Sequence, residues 1–135
     1  KAPRCGQEYG ASLSGPLLDR IDLYVGMLPY EQLGYRRDAP GETTAVVRQR
    51  VMAARAMQAR RQDGRKNAEI PIEQTGLDGA PLQLAQSIAE KFRFSARGYT
   101  RLARVARTVA DLAGAEAILP EHVAEAATFR VRLQS

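Results

Sequence analysis

The sequence predicts a mainly α-helical protein with one short strand, and three observations support this fold class. Aromatic residues make up only 6% of the 135 residues and Trp is absent, so the core must be built from Leu, Val, Ile and Ala, which favours helices. Four segments after residue 42 repeat apolar residues every three or four positions, as amphipathic helices do. One earlier segment, 21–27, alternates apolar residues with polar or small ones, as strands do.

The first predicted elements are a short helix and that strand. Ser14 can cap a helix that has Pro16 in its first turn and ends near Arg20. The strand over 21–27 follows directly, and the Pro- and Gly-containing stretch 28–42 is predicted as a loop. Because a lone strand leaves its backbone groups without partners, and because the chain starts without Met, we expect it to be the C-terminal part of a longer protein.

The four later helices are recognised by their caps and stops. Thr43 (or Thr44) and Ser95 offer N-cap hydroxyls, and Gly64 and Gly114 end the helices that those residues begin. The predicted helices cover about 43–63, 81–92, 95–113 and 120–130. Their expected buried positions are Val47, Val51, Ala54, Met57 or Gln58, Leu82, Ile88, Ala89, Phe92, Leu102, Val105, Ala106, Val109, Leu112, Ala113, Val123, Ala126 and Ala127.

The net charge of +5 is concentrated in the first long helix. Between residues 43 and 66 seven basic residues accompany a single acidic one, a net charge of +6, so the remainder of the chain sums to −1. The helix is either a polyanion-binding face or a solvated helix that packs on an acidic neighbour, and the sequence leaves both interpretations open. The candidate nucleic-acid contacts are Arg48, Arg55, Arg60 and Arg61.

Several classes of site are excluded by residue usage. Cys5 is the only cysteine, which excludes an internal disulfide, and His122 has no partner at metal-ligand spacing, so no metal site is predicted. Asp19 and Asp22 are interpreted as capping or ion-pairing residues. No apolar run approaches the ~20 residues of a membrane span, so we expect a cytoplasmic protein without a membrane partner.

Two arginines stand out by their position. Arg20 lies at a corner directly before the strand, and it is either a functional residue or a surface arginine paired with Asp19 or Asp22. Arg97 lies in the first turn of its helix, where backbone N–H groups favour an anion and a guanidinium adds a bidentate donor for phosphate. The alternative for Arg97 is a side chain that simply reaches solvent.

A series of motifs runs in order along the chain. They are SGPLLDRIDL at 14–23, ETT at 42–44, VRQRV at 47–51, NA at 67–68, FSARGY at 94–99, RVARTVADLAG at 104–114 and EHVAEA at 121–126. This series resembles the C-terminal part of magnesium-chelatase-like AAA+ ATPases of the ComM (YifB) family. The first motif is also similar to the corresponding corner in magnesium chelatase subunit I and in MCM helicases.

The resemblance implies a division of the chain and two residue roles. Residues 1–30 would be the C-terminal remnant of the AAA+ α/β core, 31–42 a linker and 43–135 the helical lid. Arg20 would be the arginine finger, acting in trans on the nucleotide of a neighbouring subunit, and Arg97 would be the sensor-2 arginine of its own subunit.

The resemblance also implies a function for the whole protein. The full-length protein would be a ring, expected to be a hexamer, that couples hydrolysis of ATP with Mg²⁺ to remodelling of DNA. The chain has neither a Gly-rich phosphate loop ending in Lys-Ser or Lys-Thr nor an acidic pair after a strand, so we expect it to be inactive alone and to bind no nucleotide.

Two other functions are left as alternatives. A stand-alone helical DNA-binding module would use the basic helix 43–66, although no helix-turn-helix spacing or aromatic stacking platform accompanies it. The chain could also be the lid of a genuine magnesium chelatase subunit, but the wording of SGPLLDRIDL is closer to the ComM group.

Overall fold

The computed structural model describes residues 20–27 and 41–130. Within them lie helices α1 (Thr44–Arg61), α2 (Gly79–Lys91), α3 (Ala96–Leu112) and α4 (Pro120–Thr128), with a short 3₁₀ helix (Ile72–Thr75) before α2. The predicted mainly helical fold is therefore confirmed. The short helix predicted before Arg20 lies outside the described residues.

The predicted caps and stops are formed. The hydroxyls of Thr43 and Ser95 accept hydrogen bonds from the backbone N–H three residues later, at 3.4 and 3.1 Å. Gly64 and Gly114 follow α1 and α3 with φ of 80° and 71°, a left-handed conformation that glycine adopts without strain. These local signals place the start of α1 and of α3 within one residue of the prediction.

Helix α3 is the centre of the bundle. It packs against α1, α2, α4 and the 3₁₀ helix. Small and aliphatic side chains from α2, α3, α4 and the segment before α4 form the core: Ala85, Leu102, Ala106, Ala110, Ile118, Val123, Ala126 and Ala127. Among the predicted core positions of α2 and α3, Ala113 is exposed. Two larger residues are also wrong, since Phe92 is 42% exposed and Leu112 is 39% exposed. Both lie at the C-terminal ends of their helices, and α2 is buried through Pro81 and Ala85 instead.

The predicted buried stripe of α1 is covered over only half its length. Ala54 and Gln58 are buried, but Val47 and Val51, on the same face, are 37% and 46% exposed. All of residues 44–53 are exposed. The helical period identified the correct face, but it could not show that only the second half of the helix would be covered.

The strand predicted over 21–27 is not formed. These residues have no regular secondary structure, and the described residues contain no strand with which they could pair. Instead the segment lies against the helices, where the Tyr24 N–H donates to the Phe129 carbonyl at 2.7 Å. The predicted division into 1–30, 31–42 and 43–135 stays a prediction.

Candidate functional site

Arg97 lies in the first turn of α3 with its side chain exposed. No acidic residue occupies that turn, and the Ser95 hydroxyl caps the N–H of Gly98. Within the described residues Arg97 makes no hydrogen bond or ion pair. An uncompensated cation beside the N–H groups of a helix N-terminus provides the donors that an anion needs.

Arg97 shares a surface hollow with two other arginines of the same helix face. Arg97, Arg101 and Arg104 line a cavity of about 320 Å³, together with Ala96 and Thr100. Arg104 donates through two nitrogens to the Ile70 carbonyl, at 3.0 and 2.7 Å, so its guanidinium is committed to the loop after α1. Arg97 therefore has the most available guanidinium of the three.

Arg101 is tied to the segment that carries Arg20. Its Nη1 lies 2.6 Å from Asp22 Oδ1, in an ion pair that lacks the alignment of a hydrogen bond. Asp22 thus pairs with Arg101 rather than with Arg20, contrary to one of the two local interpretations of Arg20. Arg20 itself is exposed in a turn. The structure brings the Arg20 segment and the second turn of α3 together.

Arg130 makes a second attachment of the same segment. Its guanidinium donates to the backbone carbonyls of Ile21 and Asp22, and lies 5.9 Å from the ring centroids of both Tyr24 and Phe94. The Arg130 residue is buried. The sequence placed Arg130 at the frayed end of the last helix, where Phe129 and Arg130 resemble the closing helix of the family, and assigned it no role. A basic residue near the end of an amphipathic helix carries no signal of such a role.

The four basic candidates on α1 do not form one surface. At about 100° per residue, Arg48 and Arg55 lie within about 20° of each other, whereas Arg60 lies about 140° away from Arg55. All three are exposed. Arg61 is different, because its two terminal nitrogens donate to the Asp111 carboxylate at 2.8 and 3.0 Å. A nucleic-acid contact stays a prediction for the first three, and the structure argues against it for Arg61.

Asp111 is the centre of a polar cluster that sequence reasoning missed. The carboxylate is 1% exposed and accepts hydrogen bonds from Arg61, from Asn67 Nδ2 at 2.8 Å and from Arg107 Nε at 3.1 Å. Burial on its own raises the pKa of Asp111, but the hydrogen bonds from Arg61 and Asn67 and the charge of Arg107 outweigh it and hold the pKa below its ordinary value. The cluster joins α1, the loop after it and α3.

Arg107 completes this buried cluster. It is 1% exposed, and its terminal nitrogens donate to the carbonyls of Glu116 and Ala115 at 2.9 and 2.7 Å. Burial lowers the pKa of Arg107, and the charge of Asp111 opposes that change. The spacing of Arg107 and Asp111, four residues on one helix, was the signal that could have revealed the pair.

Comparison with known proteins identifies the family. Residues 41–130 match the family described as "Magnesium chelatase, subunit ChlI C-terminal". The chain belongs to this family.

The similar proteins agree with the resemblance seen in the motifs. YifB of Escherichia coli is 36% identical over 94% of the chain, and the competence protein ComM of Haemophilus influenzae is 34% identical over 98% of it. A protein of Mycobacterium tuberculosis is 38% identical over 92% of the chain. The chain spans about a quarter of the length of these relatives, 27% for YifB and ComM. It is a ComM/YifB-like C-terminal region of the magnesium chelatase family, as the motif series predicted.

The family match covers the helical bundle, and it leaves the roles of individual residues as predictions. Among residues 20–27 and 41–130, no group of three or more His, Cys, Asp or Glu side chains lies close enough together to bind a metal ion. In the part of the chain that the structure describes, no helix is both long enough and apolar enough to cross a membrane.

Proposed function

We propose that this chain is the lid and arginine-finger region of a ring-forming AAA+ ATPase of the ComM/YifB type. In this proposal the full-length protein assembles as a hexameric ring in the cytoplasm, binds ATP with Mg²⁺ between subunits and remodels DNA. Arg97 senses the nucleotide of its own subunit, and Arg20 reaches the nucleotide of the next one. The chain by itself supplies these two arginines and hydrolyses nothing.

The observation that carries the proposal is the state of Arg97. The other three arginines of α3 are engaged with protein: Arg104 with the Ile70 carbonyl, Arg107 with the buried cluster and Arg101 with Asp22. Arg97 has no such partner among the described residues and lies in the first turn of the helix, whose N–H dipoles favour an anion. A guanidinium held there suits the phosphate oxygens of a bound nucleotide.

The exposure of Arg20 supports the second role. A finger that acts in trans must leave its own subunit, so its side chain should not be held by local carboxylates. Asp22, the nearby acidic residue within the described part of the chain, is occupied by Arg101. Asp19, the other expected partner, lies outside the described residues, and among the described residues no ion pair holds the Arg20 guanidinium. In this proposal that guanidinium stabilises the charge that develops on a transferring phosphoryl group.

The role of Arg97 is tested by nucleotide affinity in the full-length protein. Arg97→Ala removes a charge-assisted hydrogen bond to phosphate, so we expect ATP to bind about tenfold or more weakly in titrations. Lys91→Ala is the matched control, since it removes one positive charge from an exposed site at the end of α2. Equal ATP affinity and turnover in wild type and Arg97→Ala would contradict the sensor assignment.

The role of Arg20 is tested by mixing subunits. Arg20→Ala should lower kcat for ATP hydrolysis by about a thousandfold or more while ATP still binds, because a finger acts on the transition state. Subunits carrying Arg20→Ala, mixed with subunits mutated in the ATP-binding loop, should recover part of the activity. Hydrolysis at the wild-type rate by Arg20→Ala alone would remove the finger assignment.

A second candidate, direct DNA contact by α1, is favoured by one observation. Arg48 and Arg55 lie on the same side of a helix whose first half is entirely exposed. Phosphate contacts of this kind weaken steeply with salt, by a slope of about 0.9 per neutralised phosphate. The double variant Arg48→Gln/Arg55→Gln should therefore reduce the salt slope of duplex DNA binding by about two. An unchanged slope would show that DNA is held elsewhere.

A further inference from the structure

We propose that Arg130 and Arg101 are positioning residues that fix the Arg20 segment to the lid, so that the arginine finger moves together with the sensor helix α3. The inference rests on the proposed function, in which Arg20 is the finger and Arg97 the sensor. It adds a physical connection between the two arginines, and it assigns this connection to residues for which the family resemblance suggested no role.

Arg130 provides the stronger half of the connection. Its guanidinium donates to two successive backbone carbonyls, those of Ile21 and Asp22, directly after Arg20. The same guanidinium lies between two aromatic rings, Tyr24 from the segment and Phe94 from the residues before α3, each with its centroid 5.9 Å away. Arg130 is buried, so these contacts offset part of the hydration that it has lost, while its Nε has no hydrogen-bond partner among the described residues.

The Arg130 guanidinium also lies close to Gly98. A Cβ atom at residue 98 would lie 3.5 Å from Arg130 Nη2 and 3.3 Å from Phe94 Cβ. Gly98 directly follows Arg97 in the first turn of α3. The attachment of the segment is thus built against the turn that carries the sensor arginine.

Two further contacts set the register of the segment. The Tyr24 N–H donates to the Phe129 carbonyl at 2.7 Å, and the Asp22 carboxylate lies 2.6 Å from Arg101 Nη1. The Asp22 side chain is largely exposed, so this ion pair is individually weak. Its value is in its location, because Arg101 lies one helical turn after Arg97 on the same face of α3.

The consequence is a mechanical coupling. Residues 21–24 are held by the end of α4 through Arg130 and Phe129, and by α3 through Arg101. A helix moves as a rigid element, so a displacement of α3 when Arg97 engages nucleotide is passed to the segment and to Arg20 beside it. The lid of one subunit would then advance or withdraw the finger offered to its neighbour.

The attachment is first tested without activity, by amide hydrogen exchange in this chain. Arg130→Gln removes charged hydrogen bonds to two carbonyls of the segment, so we expect the Tyr24 amide, which donates to the Phe129 carbonyl, to exchange about tenfold to a hundredfold faster. The amides of α3 should stay protected, which shows that the bundle remains folded. Glu125→Gln is the control, because Glu125 lines a surface cavity of about 500 Å³ together with Asp22 and Arg101 and has no ion pair with the described residues. Unchanged exchange of the Tyr24 amide in Arg130→Gln would overturn the attachment.

The positioning role is then tested by steady-state kinetics in the full-length ring. Asp22→Asn and Arg101→Gln should each lower kcat about two- to fivefold, the range for an exposed ion pair, with little change in KM for ATP in the Asp22 variant. The double variant should be no worse than the more severe single one, since both break the same contact. A charge-exchanged pair, Asp22→Arg with Arg101→Asp, should recover part of the lost kcat.

The outcomes separate this inference from the proposed function. If Arg20→Ala abolishes hydrolysis but Asp22→Asn and Arg130→Gln keep the kcat of the Glu125→Gln control, the finger stands and the positioning role is wrong. If Arg20→Ala hydrolyses ATP normally, the finger assignment fails, and the positioning role fails with it. If Asp22→Asn and Arg101→Gln each lower kcat and their effects add in the double variant, the loss of their shared contact is not the cause, and the positioning role of this ion pair is wrong.

Discussion

Helix α3 carries two arginines ten residues apart whose surroundings are opposite. Arg107 is 1% exposed and each nitrogen of its guanidinium has a protein partner, namely Asp111 and the carbonyls of Ala115 and Glu116. Arg97 is exposed, lies in the first turn of the helix and has no side-chain partner among the described residues. The same residue type on one helix therefore serves packing at one end and is available to a ligand at the other.

The difference teaches how to separate structural from functional arginines in this family. A buried guanidinium has lost its hydrating water, so the fold must provide its hydrogen-bond and ion-pair partners. Removing one partner leaves a buried charge without compensation. An exposed guanidinium loses nothing when it is left alone, so its removal should scarcely affect folding. Stability measurements on the two ends of α3 should therefore diverge, and this divergence can be measured in the chain itself.

The largest effect is expected at Asp111. Asp111→Ala removes the carboxylate that Arg107 and Arg61 share and leaves Arg107 buried without its counter-charge. We expect the free energy of unfolding to fall by about 3–5 kcal/mol, measured by urea denaturation. Domains of this size are often not much more stable than this, so partial unfolding in buffer is also an expected result.

The control for this change is a carboxylate on the surface. Glu125→Ala removes a negative charge from an exposed position of α4, and it should alter the free energy of unfolding by no more than about 0.5 kcal/mol. If Asp111→Ala were as mild as Glu125→Ala, the buried cluster would not be a stabilising unit and the contrast between the two ends of α3 would disappear.

A smaller effect is expected from acid. The pKa of Asp111 in the folded state is held below its ordinary value of 3.8, so the contribution of its charge is fully present above that pH. The contribution is lost as the pH falls below about 3.8 and passes through the lower folded-state pKa. The stability advantage of wild type over Asp111→Asn should therefore be constant from neutral pH down to pH 5 and shrink below pH 4. A constant difference down to pH 2 would contradict the depressed pKa.

Local signals predicted most of the fold. The caps at Thr43 and Ser95 and the stops at Gly64 and Gly114 depend only on neighbouring residues, and each was predicted from the sequence. The extent of burial depends on distant elements and was predicted less well. Val47 and Val51 lie on the correct face of α1, but nothing in their spacing shows that the described residues leave this part of the helix uncovered.

The sequence predicted where the candidate site residue Arg97 lies on its helix, but it did not predict which side chains contact one another. The first-turn location of Arg97 follows from the Ser95 cap, which the sequence shows directly. The clustering of Arg61 with Asp111 joins residues 50 positions apart, and no local pattern contains it. For this reason Arg61 was grouped with the exposed basic residues of α1, although its guanidinium belongs to the buried cluster.

The smallest effect, and the one that completes the comparison, is expected at Arg97. Arg97→Ala leaves the helix cap intact and removes a side chain without a partner among the described residues. We expect its free energy of unfolding to stay within about 0.5 kcal/mol of wild type in urea denaturation. The first turn can even gain slightly, because a cation near a helix N-terminus is unfavourable to the helix dipole by about 0.3–1 kcal/mol. A loss of more than about 1.5 kcal/mol would show that Arg97 supports the fold. An unchanged free energy of unfolding, together with weaker ATP binding by the full-length protein, would instead show that Arg97 serves ligand binding and slightly destabilises its own helix.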